Sequence, residues 1–150
     1  MKIILFHTTL LLLLLSNISN SKEINISSDK LTVDREKNIS TFYGNVYAFE
    51  KDIEIWADQL TLKFNYPSNE VEEIYAEKNV KIVRDNIIAT GDTGFYYPSK
   101  NEIKMIKDVE VMENENLVKC DELVLDIANS ISIMRSKSTS RVEAIIVNKN

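Results

Sequence analysis

The sequence predicts an all-β fold: a stack of short antiparallel strands, each repeat bent, around one elongated apolar interior with open edge strands at both ends. Three observations predict it. A segment centred on an aspartate recurs along the chain, apolar and polar residues alternate within each copy, and the alternation changes phase at the aspartate.

The recurring segments are "INISSDKLTVD" at Asp29, "IEIWADQLTLKF" at Asp58, "IIATGDTGFYY" at Asp92 and "LVKCDELVLDI" at Asp121. The residue before the aspartate is always small: Ser28, Ala57, Gly91, Cys120. Two positions after it stand Leu31, Leu60, Gly94 and Leu123, and four after it Val33, Leu62, Tyr96 and Leu125. A second set, "GNVYAFE", "KNVKIVR" and "KDVEVME", aligns on Val46, Val80 and Val109, and "SRVEAIIV" aligns more loosely on Val142. From each of the first three valines to the next aspartate is 12 residues. Recurrence of this kind, with aspartate-to-valine gaps of 17, 22, 17 and 21, is the mark of a repeat architecture.

Alternation of apolar and polar residues belongs to a strand with one buried face. Around Asp58 the apolar series is Ile53, Ile55, Ala57, then Leu60, Leu62, Phe64, so the step across Asp58–Gln59 is three instead of two. A side-chain period of two keeps one face inward through such a step only where the strand bulges or bends. Each aspartate therefore marks a corner between two short strands that share an interior. A small residue before it suits the limited room inside a bend.

The connections agree with this. "DREKN" (34–38), "YPSNE" (66–70) and "YPSK" (97–100) are turn sequences. "SNEVEEIYAEK" places Val71, Ile74 and Tyr75 on one helical face, but its place in the repeat assigns it to a strand. The first strand, near Ile24 to Val33 (Ile24, Ile26, Leu31, Val33), and the last, near Val142 to Val147 (Val142, Ala144, Ile146), leave unpaired backbone groups. Such edges accept a strand from a partner.

At the N-terminus, Lys2 precedes an apolar run from Ile3 to Leu15 and then "SNISNSK". This is the pattern of a secretory signal peptide, with Ser19 and Ser21 before the cut and Lys22 as the first mature residue. The run of 13 residues is short of the ~20 needed to span a bilayer. The expected organisation is a signal peptide at 1–21 and one β domain at 22–150. The domain carries 17 basic against 23 acidic residues, a net charge of −6, which argues against nucleic acid or anionic lipid surfaces as partners.

The function classes narrow accordingly. His7, the only histidine, lies in the leader, so the domain has no imidazole for a general base or a typical zinc site. Three glycines form no phosphate-cradling loop. An enzyme is not expected, and neither a cofactor nor a metal is implied. Cys120, flanked by Asp121 and Glu122, resembles a reactive thiol, yet it occupies the small slot of the repeat. Trp56 has the opposite parity to Ile55 and Ala57, so it is expected on the outer face, as a partner-facing anchor or as a cover for the convex side.

The stretches "IWADQLTLKF", "CDELVLDI", "TFYGNVYAFE" and "KNVKIVR", in this order and spacing, resemble the OstA-like family of periplasmic lipopolysaccharide transport proteins, its LptA-type members above all. The resemblance runs from about Ser27 to Glu115, then through "CDELVLDI", and fades after Ile133. It departs at the third corner, where Gly94 and Tyr96 replace leucines. It implies a twisted β-jellyroll in the periplasm whose apolar groove holds the acyl chains of lipid A. It further implies end-to-end self-association by edge strands, with an inner-membrane LptC-like partner and an outer-membrane LptD-like partner. The groove lining would be Ile55, Leu60, Leu62, Phe64, Val80, Ile82, Tyr96, Val109, Val111, Leu123 and Leu125. For any single one of these positions, filling an ordinary core accounts for the same pattern. Two alternatives are an LptC-like component that keeps its N-terminal run as an anchor, and a structural β-solenoid without ligand.

Overall fold

A computed structural model describes residues 22–137 and 139–148. The leader expected at 1–21 lies outside the described residues. Ten strands form one antiparallel sheet: β1 Asn25–Ser27, β2 Lys30–Asp34, β3 Ile39–Glu50, β4 Ile53–Phe64, β5 Val71–Arg84, β6 Ile87–Tyr97, β7 Glu102–Glu113, β8 Asn116–Asp126, β9 Ile131–Arg135 and β10 Glu143–Ile145. Strands β3 to β8 pair each with the next along the chain, and no helix occurs among the described residues.

The sequence predicts two short strands meeting at each aspartate. The six central strands are instead continuous over 11 to 14 residues and bend in their middles. Every bend is built from two strands. Gly44–Asn45, Lys78–Asn79 and Lys107–Asp108 hold positive φ, at 77° and 46°, 63° and 52°, and 69° and 52°. Each pair lies opposite a single residue of the next strand, Asp58, Asp92 and Asp121, because Tyr43–Val46 faces Gln59–Ala57, Glu77–Val80 faces Thr93–Gly91, and Ile106–Val109 faces Glu122–Cys120. Two residues against one is a β-bulge, which bends and twists the strand that carries it.

Glycine, asparagine and aspartate tolerate positive φ better than other residues. This accounts for Gly44, Asn45, Asn79 and Asp108; Lys78 and Lys107 adopt it as well, each followed by such a residue. The aspartates receive the bulge. Asn45 donates to Asp29 at 2.9 Å, Asn79 donates to Asp58 at 2.8 Å, and the Lys107 ammonium donates to Asp92 at 3.1 Å. At the last bend Asp121 accepts from the Lys137 amide at 2.7 Å and from the Ser140 hydroxyl.

The bends divide the sheet into two halves that share an interior. Both edges are split at the same level. β1 pairs with Tyr47–Phe49 and β2 with Ile39–Tyr43, so the first edge, near Ile24 to Val33, is two short strands meeting at Asp29, as the corner there predicts. At the far side β10 pairs with Leu117–Lys119 and β9 with Glu122–Asp126. The last edge is therefore also double, and β10 is shorter than the expected Val142–Val147.

Candidate functional site

The interior is layered, and the pairing register shows how. Beside the bend on one half run Val46 opposite Ala57, Val80 opposite Gly91, and Val109 opposite Cys120. Valine faces a small residue in each pair, which is why the position before the aspartate stays small. A Cβ on Gly91 would stand 3.3 Å from the Lys107 carbonyl and from the Met105 methyl, both tight contacts. Cys120 is 7% exposed and unpaired, and burial pushes its thiol above the ordinary range. A thiol held protonated in an apolar slot is a poor nucleophile.

The next layer of that half contains Ala48, Ile55, Ile82, Ala89, Val111 and Val118, opposite one another in turn. On the other half the layer beside the bend runs Leu31, Phe42, Leu60, Ala76, Gly94, Met105, Leu123 and Met134. Beyond it lie Leu62, Ile74, Tyr96, Ile103 and Leu125. Gly94 fits here because a Cβ would meet Val80 Cγ1 at 3.0 Å and Ile82 Cδ1 at 3.3 Å. Those two atoms belong to the opposing half, so the halves pack closely at Gly94.

The structure places ten of the residues expected to line a groove in this buried cluster: Ile55, Leu60, Leu62, Val80, Ile82, Tyr96, Val109, Val111, Leu123 and Leu125. Phe64 is partly buried against it. Ile53, part of the inward series around Asp58, and Ile74 belong to the same cluster, as do Ile103 and Met105, which the alternation around the aspartates does not reach. Across the bulges of β3, β5 and β7 the inward series steps by four, as from Met105 to Val109, which preserves parity and so hides the bend. A usable signal exists at Lys78 and Lys107, charged residues where alternation calls for apolar ones, each followed by a residue tolerant of positive φ.

The edge residues divide. Ile24 and Ile26 pack against the interior, whereas Leu31 and Val33 are 51% and 57% exposed. At the other edge only Ala144 of the three expected residues lies within β10; Val142 and Ile146 flank it and are exposed. Trp56 faces outward, as parity requires. Its ring lies 5.1 Å from that of Tyr47, and the Lys81 ammonium sits 4.7 Å above it.

Away from the bend the two halves end in turns, and a cavity of about 440 Å³ opens between these ends. Ile24, Glu50, Glu70, Val71 and Pro98 contribute to its walls, with Lys22 at the rim. Beneath it, among Ala48, Ile53, Ile55, Ile74 and Tyr96, no room for a water molecule remains. The interior is thus a filled apolar core with a polar mouth. Glu50 lines both spaces, points inward at the end of β3 and is 3% exposed. Burial raises the Tyr96 phenol above its usual range, and the charge of Glu50 and a hydrogen bond to it push further in the same direction.

Residues 25–131 match the family model described as LptA/(LptD N-terminal domain) LPS transport protein. No curated protein matches the sequence. Among solved structures the chain is similar to that of LptH from Pseudomonas aeruginosa, described as the LptA homologous periplasmic component of the conserved lipopolysaccharide transport device. The two are 16% identical with a TM-score of 0.76, and the match covers 85% of this chain and 96% of that one. At that identity the likeness speaks for the fold, an all-β sheet curled on itself without closing.

Proposed function

The chain belongs to the LptA/LptD N-terminal-domain family of lipopolysaccharide transport proteins, and from that premise we propose that it is a periplasmic carrier holding lipid A acyl chains between the two halves of its bent sheet. The observation that carries this reading is the single apolar cluster contributed by both halves and ending at an open mouth. Each CH₂ moved from water into such a space gains about 0.8 kcal/mol. A multi-chain lipid crosses an aqueous compartment only under shielding of this kind. The interior is closely packed, so cargo enters as the halves part, with the acyl chains replacing contacts between Leu60, Leu62, Leu123 and Leu125 on one half and Ile55, Val80, Ile82, Val109 and Val111 on the other. Phe64 and Tyr96 lie toward the mouth.

The split edges support end-to-end assembly. Among the described residues β2 and β9 each pair on one side only and carry exposed apolar side chains, Leu31 and Val33 at one edge, Ile131 and Ile133 at the other. Copies joined through these edges form a continuous bridge, with an LptC-like partner at the inner membrane and an LptD-like partner at the outer. In this reading residues 1–21 are a cleaved leader and residues 22–150 the working domain. Mass spectrometry of the exported chain tests the cut: a mature protein starting at Met1 would favour an anchored, LptC-like role. The chemistry is transport without covalent steps.

Photocrosslinking in cells tests the central claim. A probe at Leu62 or Leu123 should label lipopolysaccharide, while probes at the outward Lys63 or Glu122 should not. Equal labelling at inward and outward sites would sink the carrier reading.

A further inference from the structure

Glu50 is the unexplained group of the interior. It is the one buried acidic residue among the described residues, 3% exposed, and its Oε2 has no hydrogen-bond partner among them. Buried carboxylates are ordinarily matched by donors, and an unmatched one calls for a reason. Tyr96 answers part of the carboxylate from across the mouth. Lys22, which lines the same cavity, and Arg84, whose charge reaches Tyr96, are engaged elsewhere. Arg84 pairs through Nε with Asp52 at 2.8 Å, and Lys22 donates from Nζ to the Pro98 carbonyl at 2.9 Å.

The mouth above Glu50 has the other half of a binding site. Ile24 and Val71 give it apolar walls, and Glu70 adds a second negative charge at its border. A guest that satisfies Glu50 must bring a donor, is favoured by positive charge, and must carry aliphatic surface.

We propose that the mouth binds the ammonium end of an amphiphile, with the ammonium bonded to Glu50 and the attached chain directed into the interior. This rests on the reading of the interior as an acyl-chain space and adds a polar selection step at its entrance. Carboxylate-headed chains are disfavoured by Glu50 and Glu70, and neutral alcohols lack the charge that compensates them.

Isothermal titration calorimetry with decylamine, decanol and decanoate, each below its micellar concentration, tests this on the domain and on Glu50→Gln. The amide is isosteric, and a urea melt establishes that the variant is folded. Decylamine should bind the native domain about tenfold more tightly than decanol, and more tightly still than decanoate. Glu50→Gln should bring the amine and the alcohol to equal affinity. Equal binding of amine and alcohol by the native domain would overturn the ammonium site while leaving the interior as a chain-binding space. A preference that survives in Glu50→Gln would also overturn it. Absence of binding by all three would remove both readings.

Discussion

Asn79 donates from Nδ2 to Oδ2 of Asp58 at 2.8 Å, joining two bends on neighbouring strands. Asn79 has φ of +52°, and Asp58 is the residue at which β4 changes phase. One hydrogen bond thus couples a conformation that few residues tolerate to the aspartate that marks the repeat.

Replacing Asn79 separates the two contributions. Asn79→Gly keeps the backbone conformation and loses only an exposed hydrogen bond, so it should cost about 1 kcal/mol or less. Asn79→Val adds a β-branched side chain at positive φ and should cost about 1–3 kcal/mol more. Urea denaturation of the two variants checks the order, and equal midpoints would contradict the account of the bend.

Gly94 and Val80 form a packing pair across the halves. Gly94→Ala places a methyl where Val80 Cγ1 lies at 3.0 Å, and should destabilise by about 1–3 kcal/mol. Val80→Ala empties the same spot and on its own costs about 1–3 kcal/mol. The double variant should be more stable than the sum of the single losses implies. Additivity in a double-mutant cycle would show that the halves do not meet at this point.

Leu60 is fully buried, so Leu60→Ala should cost about 2–5 kcal/mol by cavity formation. If the halves part to accept acyl chains, the same variant should bind decanol at least as tightly as the native domain, because the added space is apolar. Parallel melting and calorimetry measure the two effects.

Asp121 holds the connection between β9 and β10 through the Ser140 hydroxyl and the Lys137 amide. The Ser140 bond first, and then the Lys137 amide, keep its carboxyl below the ordinary value of 3.8. The unfolded segment therefore takes up a proton before the folded one does. The contribution is complete above about pH 4 and fades as pH falls through the lower, folded value. Protection of the Lys137 and Ser140 amides, measured as exchange relative to the intrinsic rate at each pH, should fall below about pH 4, and Asp121→Asn should remove that dependence.

Leu31 and Val33 expose apolar side chains on β2, which among the described residues pairs on one side only. Charge on an edge strand discourages pairing. Light scattering of the native domain should give a mass that rises with concentration, and Leu31→Lys with Val33→Lys should hold it at the monomer.

Much of the fold was legible because the step of three at Asp58 and Asp121 breaks parity, and only a bend reconciles that with one buried face. The complementary bulges at Lys78–Asn79 and Lys107–Asp108 preserve parity and left no such mark. For the same reason Ile103 and Met105 were not seen as partners of Val109 and Val111. The continuity of the long strands was also hidden, since a bend and a break give one local pattern. At Asp29 the chain does break, and at Asp58 it does not. The inward placement of Leu60, Leu123 and Tyr96 followed from alternation alone. Glu50 could not be found that way: it is a polar residue at an inward position near a turn, and burial there depends on Tyr96 arriving from the opposite half.

The bends lie at one level from Asp29 to Asp121, and both edges are interrupted at that level. A straight ribbon laid along either edge can follow one half and must leave the sheet where the crease begins. Only a chain creased at the matching residue can pair along the full length. In the proposed end-to-end assembly the crease would act as a key cut into each edge, setting the register of an added copy and rejecting the extended segments that an unbroken edge would recruit.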